Sequence, residues 1–248
     1  MTRVKLPLAT PTYRNARRQE LTAVGDALYD GFVDDLGALN MRWGCTTHVD
    51  LGTSSITGLY FWQERNLLIA TSGTVAYSIT QAGVATSLAG APLTATRRPS
   101  FANDDTYVYI CDGGSILYSD GTTALAAVTH ITAPTAAISL ATLNKRVLAV
   151  QSGTQRVYYS EVNNGLSWAG YFTAEGEPDV VRQIAKVDGQ IFVLGARSVE
   201  FYYNDTGATP FLRNDSRSIS QGTCATDSLL VVGGVPFWMG ADRKLIVL

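Results

Sequence analysis

The sequence predicts an all-β fold: a β-propeller built from repeats of about 40 residues, with an extended N-terminal arm. Two observations lead to this prediction. A pattern of β-prone run, glycine turn and second β-prone run recurs five times, and its turns are evenly spaced. The runs also lack the 3.6-residue periodicity that helical repeats of similar length would show.

Each copy of the pattern has the composition of a β-hairpin, because β-branched and aromatic residues flank a turn that contains glycine. The five copies occupy residues 66–78, 107–119, 146–160, 190–204 and, more weakly, 229–239. Their turn glycines are Gly73, Gly113, Gly153, Gly195 and Gly233, at steps of 40, 40, 42 and 38 residues. Such even steps indicate one structural unit repeated along the chain.

A single hairpin is marginal in water, so each repeat needs further strands. The candidates lie just before three of the hairpins, at 56–62, 138–143 and 180–187. With them each repeat becomes a blade of three or four strands, and the sequence predicts propeller blades over residues 45–248. Because residues 244–248 resemble a strand, we expect that the propeller is completed elsewhere or that the sequence is part of a longer protein.

Residues 1–44 differ from the repeats and are predicted to form an N-terminal arm and a connecting segment. Prolines near the start favour extended backbone, so we expect the arm to reach across a neighbouring subunit or blade. Arg14, Arg17 and Arg18 form a basic cluster in this arm. Two interpretations of the cluster stay open, a solvated flexible segment and an interface with a partner.

The composition favours permanent association over nucleic-acid binding. Hydrophobic residues make up 46% of the chain and charged residues only 16%, with a net charge of −2. Few surface charges suit a lasting interface, whereas tight DNA binding needs many basic groups on phosphates. No run is long enough to span a membrane, and the N-terminus lacks the features of a signal peptide, so we expect no stable membrane insertion.

The residues that could carry catalysis or metal binding are sparse. Cys45, Cys111 and Cys224 are widely spaced and suggest neither a disulfide framework nor a zinc site. His48 and His130 lie in no metal-ligand or serine-hydrolase spacing. The acidic groups around 103–105 and 119–121 have the composition of turns whose short side chains bond nearby backbone. The sequence therefore predicts no enzyme activity and no cofactor.

One alternative comes from residues 160–168, which resemble the Asp-box turn of sialidase-type propellers. Asparagine replaces the aspartate there, and the serine is one residue too far upstream. With tyrosines at several strand ends, this turn keeps open a glycan-binding or glycosidase domain in which Trp168 would contact sugar. Packing within blades is the competing interpretation of the tyrosines. A third interpretation is a cellular scaffold that binds a partner protein through its loops.

Residues 138–239 resemble a family of proteins from short-tailed bacteriophages, the tail hub, nozzle or packaged-DNA stabilisation proteins. The resemblance rests on three segments in order: NKRVLAVQSGTQRVYYSEV, LSWAGYFTAEGEPDVVRQIAKVDGQIFVLGARSVEFYYNDTGATPF and ISQGTCATDSLLVVGGVPFWMG. The most distinctive part is FTAEGEPDVV at 172–181, followed by the strand at 198–202 and the turn at Gly207. Residues 6–14 and 41–44 also look like the arm and first strand of this family.

The resemblance implies a structural virion protein. In this family the subunit forms a ring, a homohexamer, below the portal and adaptor proteins. The ring continues the DNA channel, helps to retain packaged DNA, supports its ejection, and anchors fibre, spike, needle or plug proteins. The expected location is the virion tail, and the host cytoplasm during assembly. The near-neutral charge agrees with this role, since a channel that lets DNA slide should avoid strong phosphate contacts.

Overall fold

The structure is a computed structural model that describes residues 31–33, 39–41, 48–52, 55–174, 176–205 and 210–248. The chain divides into two compact units, Met1–His48 and Val49–Leu248. In the first unit the described residues form a two-stranded antiparallel ladder, β1 (Gly31–Val33) with β2 (Leu39–Met41). The rest of the predicted arm lies outside the described residues.

The second unit contains five antiparallel sheets in chain order, which are the blades of a β-propeller. Blade I contains β3 (Ile56–Trp62), β4 (Leu67–Ser72), β5 (Val75–Thr80) and β6 (Ala85–Ser87). Blade II contains β7 (Ser100–Asn103), β8 (Val108–Cys111), β9 (Leu117–Ser119) and β10 (Ala126–Ala127). Blade III contains β11 (Ala137–Leu143), β12 (Arg146–Gln151), β13 (Arg156–Glu161) and β14 (Asn164–Thr173).

The last two blades differ in strand number. Blade IV contains β15 (Val181–Val187), β16 (Gln190–Gly195), β17 (Val199–Asn204) and β18 (Phe211–Ile219). Blade V contains β19 (Leu230–Val232), β20 (Val235–Met239) and β21 (Leu245–Val247). Among the described residues the only helical element is a 3-10 turn at Gln63–Arg65. The predicted all-β propeller is therefore confirmed.

The first strand of each blade lies innermost, because β11 packs beside both β7 and β15, the first strands of the neighbouring blades. The strands predicted at 56–62, 138–143 and 180–187 are confirmed as such innermost strands. The loop that enters each blade lies at the same end of the propeller as the second turn of that blade. We call this end the entry face.

The fifth predicted copy, at 229–239, is a hairpin, but it is the first hairpin of its blade, whereas the other four copies are second hairpins. Three of the marker glycines, Gly73, Gly113 and Gly153, lie in the second turns of blades I to III, and Gly195 ends β16 where the second turn of blade IV begins. Gly233 instead lies in the first turn of blade V, between β19 and β20. The second turn of blade V contains Gly240.

This error arises because the first turns of blades IV and V also contain residues with a left-handed backbone conformation. Gly233 and Gly234 have φ of 59° and 85°, and Asp188 and Gly189 in the first turn of blade IV have φ of 48° and 74°. Two successive positive φ values are typical of the type I′ turn that closes a two-residue hairpin. A turn glycine therefore marks either hairpin of a blade.

Each pair of consecutive blades encloses a hydrophobic cluster that contains a large, fully or almost fully buried aromatic side chain: Trp62 between blades I and II, Trp168 between II and III, Phe211 between III and IV, and Trp238 between IV and V. The strand-end tyrosines contribute to this packing. The Tyr202 ring centroid lies 4.3 Å from that of Phe172, and Tyr118 meets Tyr107 edge-on at 5.2 Å. Packing within and between blades therefore accounts for these tyrosines.

A hydrogen-bonded staple joins the innermost strands of consecutive blades. Between blades II and III, Ser100 Oγ accepts the N–H of Leu140 at 2.8 Å. Between blades III and IV, Ser139 Oγ accepts the N–H of Ile184 at 3.1 Å. Each innermost strand pairs with a neighbour on one side only, so the staples satisfy backbone donors that would otherwise be unpaired at a strand edge.

The series continues into blade V, where Gln183 Oε1 accepts the N–H of Leu229 at 2.9 Å. In blade I the equivalent position is Gly58, which has the same place in its bulged ladder as Gln183. A Cβ on Gly58 would lie 2.6 Å from Cγ of Pro99. Because glycine has no side chain that could accept an N–H, close packing against Pro99 takes the place of the staple at this joint.

Candidate assembly surfaces

The outer face of blade V consists of apolar side chains only. The strand pairing places them in three cross-strand rows: Leu230–Phe237–Val247, Val232–Val235 and Met239–Leu245. The inner face carries Trp238 and Ile246 and packs against blade IV. The outer face is open: the exposed fractions are 60% for Leu230, 56% for Val232, 68% for Leu245 and 52% for Val247. We call this surface the blade V patch.

Blade I has a smaller open surface of the same kind. Tyr60 stacks on Phe101 with ring centroids 5.5 Å apart, and Trp62 packs in the cluster with blade II. Because side chains alternate along a strand, Leu59 and Phe61 point to the opposite face of β3. They are 61% and 56% exposed, so the outer faces of blades I and V do not cover one another.

Outside the blade V patch, blade V has a polar residue at the position of a staple. Each of the middle blades has two adjacent staple residues. In blade IV, Ile184 donates its N–H to blade III, and the preceding residue, Gln183, accepts an N–H from blade V. Ser228 precedes Leu229 in the same way. The Ser228 hydroxyl is already used within blade V, since its Oγ accepts the N–H of Met239 at 3.2 Å. The open feature of this blade is therefore its apolar face.

Two buried carboxylates hold the loop that enters blade IV, which contains the most distinctive segment of the sequence. Asp179 accepts the N–H of Ser198 at 3.1 Å. Glu200 is only 2% exposed; its Oε1 accepts the N–H of Gly176 at 3.0 Å, and its Oε2 accepts the hydroxyl of Tyr202 at 2.9 Å. These contacts give Asp179, an acidic residue of this segment, a structural role.

Asp104 ties blade II to blade III. Its Oδ1 accepts the N–H groups of Thr106 and Tyr107 at 2.8 and 2.7 Å, which confirms the predicted turn role. Its Oδ2 accepts the Tyr109 hydroxyl at 2.6 Å and the N–H of Gly165 at 3.2 Å. Burial, and then the hydrogen bond to Asp104, raise the pKa of Tyr109 well above its usual range. This second pair of contacts was not predicted.

Asp120 closes the third turn of blade II. Its Oδ1 accepts the N–H groups of Thr123 and Thr122 at 2.8 and 2.9 Å, and both hydroxyls at 2.9 Å. These backbone hydrogen bonds hold the pKa of the Asp120 carboxyl well below its usual range. The predicted turn role of Asp120 is confirmed.

The described residues contain no cluster of three or more histidine, cysteine or acidic side chains that could hold a metal ion. His130 has a structural environment, since its Nδ1 accepts the N–H groups of Thr132 and Trp168, both at 3.4 Å. Trp168 is 2% exposed, so the residue assigned to sugar contact in the glycan-binding alternative is inaccessible. Across the same part of the chain, no helix is long and apolar enough to cross a membrane.

An ion pair crosses the entry face near the propeller axis. The Arg97 guanidinium contacts the Asp227 carboxylate at 2.9 Å, with exposed fractions of 21% and 25%. This pair could not be predicted from the sequence, because its members are 130 residues apart. The predicted interface residues Arg14, Arg17 and Arg18 lie outside the described residues, so their role stays a prediction.

These observations define a class of protein: a β-propeller whose buried polar groups serve structural roles and whose end blades expose apolar faces. Among solved structures, the computationally designed Ika8 protein is similar with a TM-score of 0.53 and 15% identity, over 78% of this chain and 58% of that chain. Virginiamycin B lyase from Staphylococcus aureus gives a TM-score of 0.54 and 11% identity, over 87% and 71%.

PorZ, a bacterial surface component of the type-IX secretion system of Porphyromonas gingivalis, gives a TM-score of 0.52 and 15% identity, over 80% of this chain and 27% of that chain. At these identities the similarity shows the propeller fold alone. The chain spans less than two thirds of the length of the Ika8 and PorZ chains. Among curated proteins, none matches the chain.

The family model described as "Bacteriophage P22 Gp10, beta-propeller" matches residues 32–246. The chain belongs to this phage stabilisation family, whose members are structural phage proteins. The resemblance to tail hub and nozzle proteins noted from the sequence is thereby confirmed.

Proposed function

We propose that this protein is a structural subunit of the virion tail of a short-tailed phage, and that it acts without catalysis or cofactor. In this proposal several copies, a homohexamer, form a ring below the portal and adaptor proteins. The ring continues the DNA channel, helps to retain packaged DNA and supports its ejection. It also anchors fibre, spike or needle proteins. The protein is assembled from the host cytoplasm into the virion.

The observation that carries the proposal is the pair of open apolar faces on the end blades. Soluble monomers rarely expose contiguous apolar patches larger than a few hundred Å², and larger patches mark protein interfaces. The blade V patch has seven apolar side chains and no polar side chain in its three rows. A protein with such a surface is suited to a permanent assembly, in which its interface stays covered.

The geometry near the axis supports a DNA path between subunits rather than through one propeller. The innermost strands of neighbouring blades are linked by direct hydrogen bonds of 2.8 to 3.1 Å, and an ion pair of 2.9 Å crosses the entry face. The major groove of duplex DNA alone is about 12 Å wide. In the proposal, the duplex therefore passes through an opening that several copies enclose.

The test is reconstitution with the portal and adaptor proteins of the same phage, followed by electron microscopy. We expect ring density below the adaptor that contains several propellers. A protein that stays monomeric and unbound with both partners present would refute the proposal. Because Arg14, Arg17 and Arg18 are predicted interface residues, replacing all three by glutamate should reduce ring formation, whereas Lys145→Glu, on the propeller surface, should not.

A further inference from the structure

Arg97 and Asp227 lie in the entry loops of two blades that are not consecutive. Arg97 lies in the loop that enters blade II, three residues before β7, and Asp227 lies three residues before β19 in the loop that enters blade V. Because β7 and β19 are innermost strands, both residues lie at the mouth of the axis. Their ion pair of 2.9 Å connects blade II directly to blade V.

This connection differs from the joints described above. The staples and the contact between Asp104 and Gly165 each link neighbouring blades. A series of such joints fixes the angle at each step, but small deviations accumulate over the three steps from blade II to blade V. A direct contact between blades II and V limits the sum of these deviations.

The surroundings hold Arg97 in place for this contact. A Cβ on Gly113 would lie 3.5 Å from Cδ of Arg97 and 3.3 Å from Oγ1 of Thr96, so the turn passes closely under this segment. Gly113 has φ of 104°, which only glycine adopts readily. Below the pair lies the thiol of Cys111, which is fully buried and whose pKa is raised by burial. A cavity of about 380 Å³, lined in part by Ile56 and Arg97, opens beside the pair.

We infer that the Arg97–Asp227 ion pair is a lock: it closes the mouth of the propeller axis, fixes the curvature of the five blades, and sets the separation of the open faces of blades I and V. This inference goes beyond the proposed tail role and does not depend on it. An ion pair is weakened by salt and by loss of either partner, whereas the apolar clusters between blades are not. The lock can therefore open while the blades stay folded.

The experiment compares wild type, Arg97→Ala, Asp227→Ala, the double variant and the charge swap Arg97→Asp/Asp227→Arg. All carry Cys45→Ser and Cys224→Ser, so that Cys111 is the one thiol. The first readout is the rate at which Ellman's reagent labels Cys111 under native conditions. The second is the radius of gyration by small-angle X-ray scattering at low and high salt.

We expect each single variant to label Cys111 at least tenfold faster than wild type and to have a larger radius of gyration, with the double variant no worse than either single one. The swap should restore slow labelling, which a loss of folding alone could not explain. High salt should speed labelling in wild type and not in Arg97→Ala. The matched control is Asp242→Ala, which removes an exposed ion pair with Lys244 on the same face, 3.2 Å apart; it should label like wild type.

Equal labelling rates and equal radii in wild type and the single variants would overturn the inference. So would additive effects of the two single variants, because a lock requires that the second substitution cost nothing once the first has broken the pair. If Arg97→Ala does not fold, the charge swap and the salt dependence of wild type decide the question by themselves.

Discussion

Ser139 on the innermost strand of blade III binds both backbone polar groups of Ile184 on blade IV. Its Oγ accepts the Ile184 N–H at 3.1 Å and donates to the Ile184 carbonyl oxygen at 3.4 Å. Both residues are buried, so water cannot replace the hydroxyl without entering the joint. One small side chain therefore provides these polar contacts between the two blades, beside the apolar cluster that they enclose.

We predict that Ser139→Ala lowers the free energy of unfolding by about 1–3 kcal/mol, because it leaves a buried N–H without a partner. Urea unfolding followed by tryptophan fluorescence measures the change. The control is Ser87→Ala on the exposed outermost strand of blade I, for which we expect a change within about 0.5 kcal/mol. Equal effects of the two substitutions would contradict a staple at Ser139.

Gly165 and Gly170 both lie in β14 and should respond differently to alanine. A Cβ on Gly165 would lie 2.5 Å from the Tyr109 hydroxyl, beside the bond to Asp104, whereas a Cβ on Gly170 would lie 3.1 Å from the Tyr159 hydroxyl. Tyr109 is fully buried and cannot withdraw. We predict a loss of about 1–3 kcal/mol for Gly165→Ala by chemical denaturation. A larger loss for Gly170→Ala would contradict this account.

The third turn of blade II should make stability depend on pH. The pKa of the Asp120 carboxyl is lower in the folded protein than in the unfolded chain, so Asp120 stabilises the fold above its unfolded pKa. As the pH falls through and below about 4, the unfolded chain takes up the proton first and this contribution is lost. We predict that the melting temperature of wild type falls more steeply from pH 6 to pH 3 than that of Asp120→Asn.

The control for this prediction is an acidic residue that lies outside the third turn of blade II. Asp188→Asn, in the first turn of blade IV, should keep the steep decline of wild type. Thermal unfolding by circular dichroism at several pH values gives the slopes. Parallel curves for wild type and Asp120→Asn would show that the four hydrogen bonds of Asp120 contribute nothing to the acid sensitivity.

The blade V patch should control association of the isolated protein. We predict that Leu245→Lys with Val247→Lys lowers the fluorescence of bound anilinonaphthalene sulfonate and the apparent mass in light scattering, because charge replaces exposed apolar surface. Ile131→Lys is the control, since Ile131 is 97% exposed but lies outside the patch. If Ile131→Lys has the same effect as the pair, the patch is not the associating surface.

Much of the fold could be predicted from the sequence. Strands such as β12 and β16 can be recognised from the local sequence, because they contain β-branched residues and lie next to a turn. The error at Gly233 also has a local cause, since both turns of a blade select glycine. The local sequence does not, however, indicate whether a glycine turn is the first or the second turn of its blade.

The contacts that define the candidate site could not be predicted, because they join distant residues. Asp104 looked like an ordinary turn residue, and only the fold brings Gly165 to its second oxygen, 61 positions away. Trp168 looked accessible in an Asp-box-like turn, but the neighbouring blade buries it. In contrast, the blade V patch could have been found from the run LLVVGGVPFWM, whose alternate positions are apolar on both faces.

The direction of the staples matches the order in which the blades are synthesised. In every staple the accepting side chain belongs to the earlier blade and the donating N–H to the later one, as with Gln183 and Leu229. During synthesis from the N-terminus, each newly made innermost strand therefore meets an acceptor that the ribosome has already released. As far as the staples are concerned, the blades can be added one after another on the growing chain.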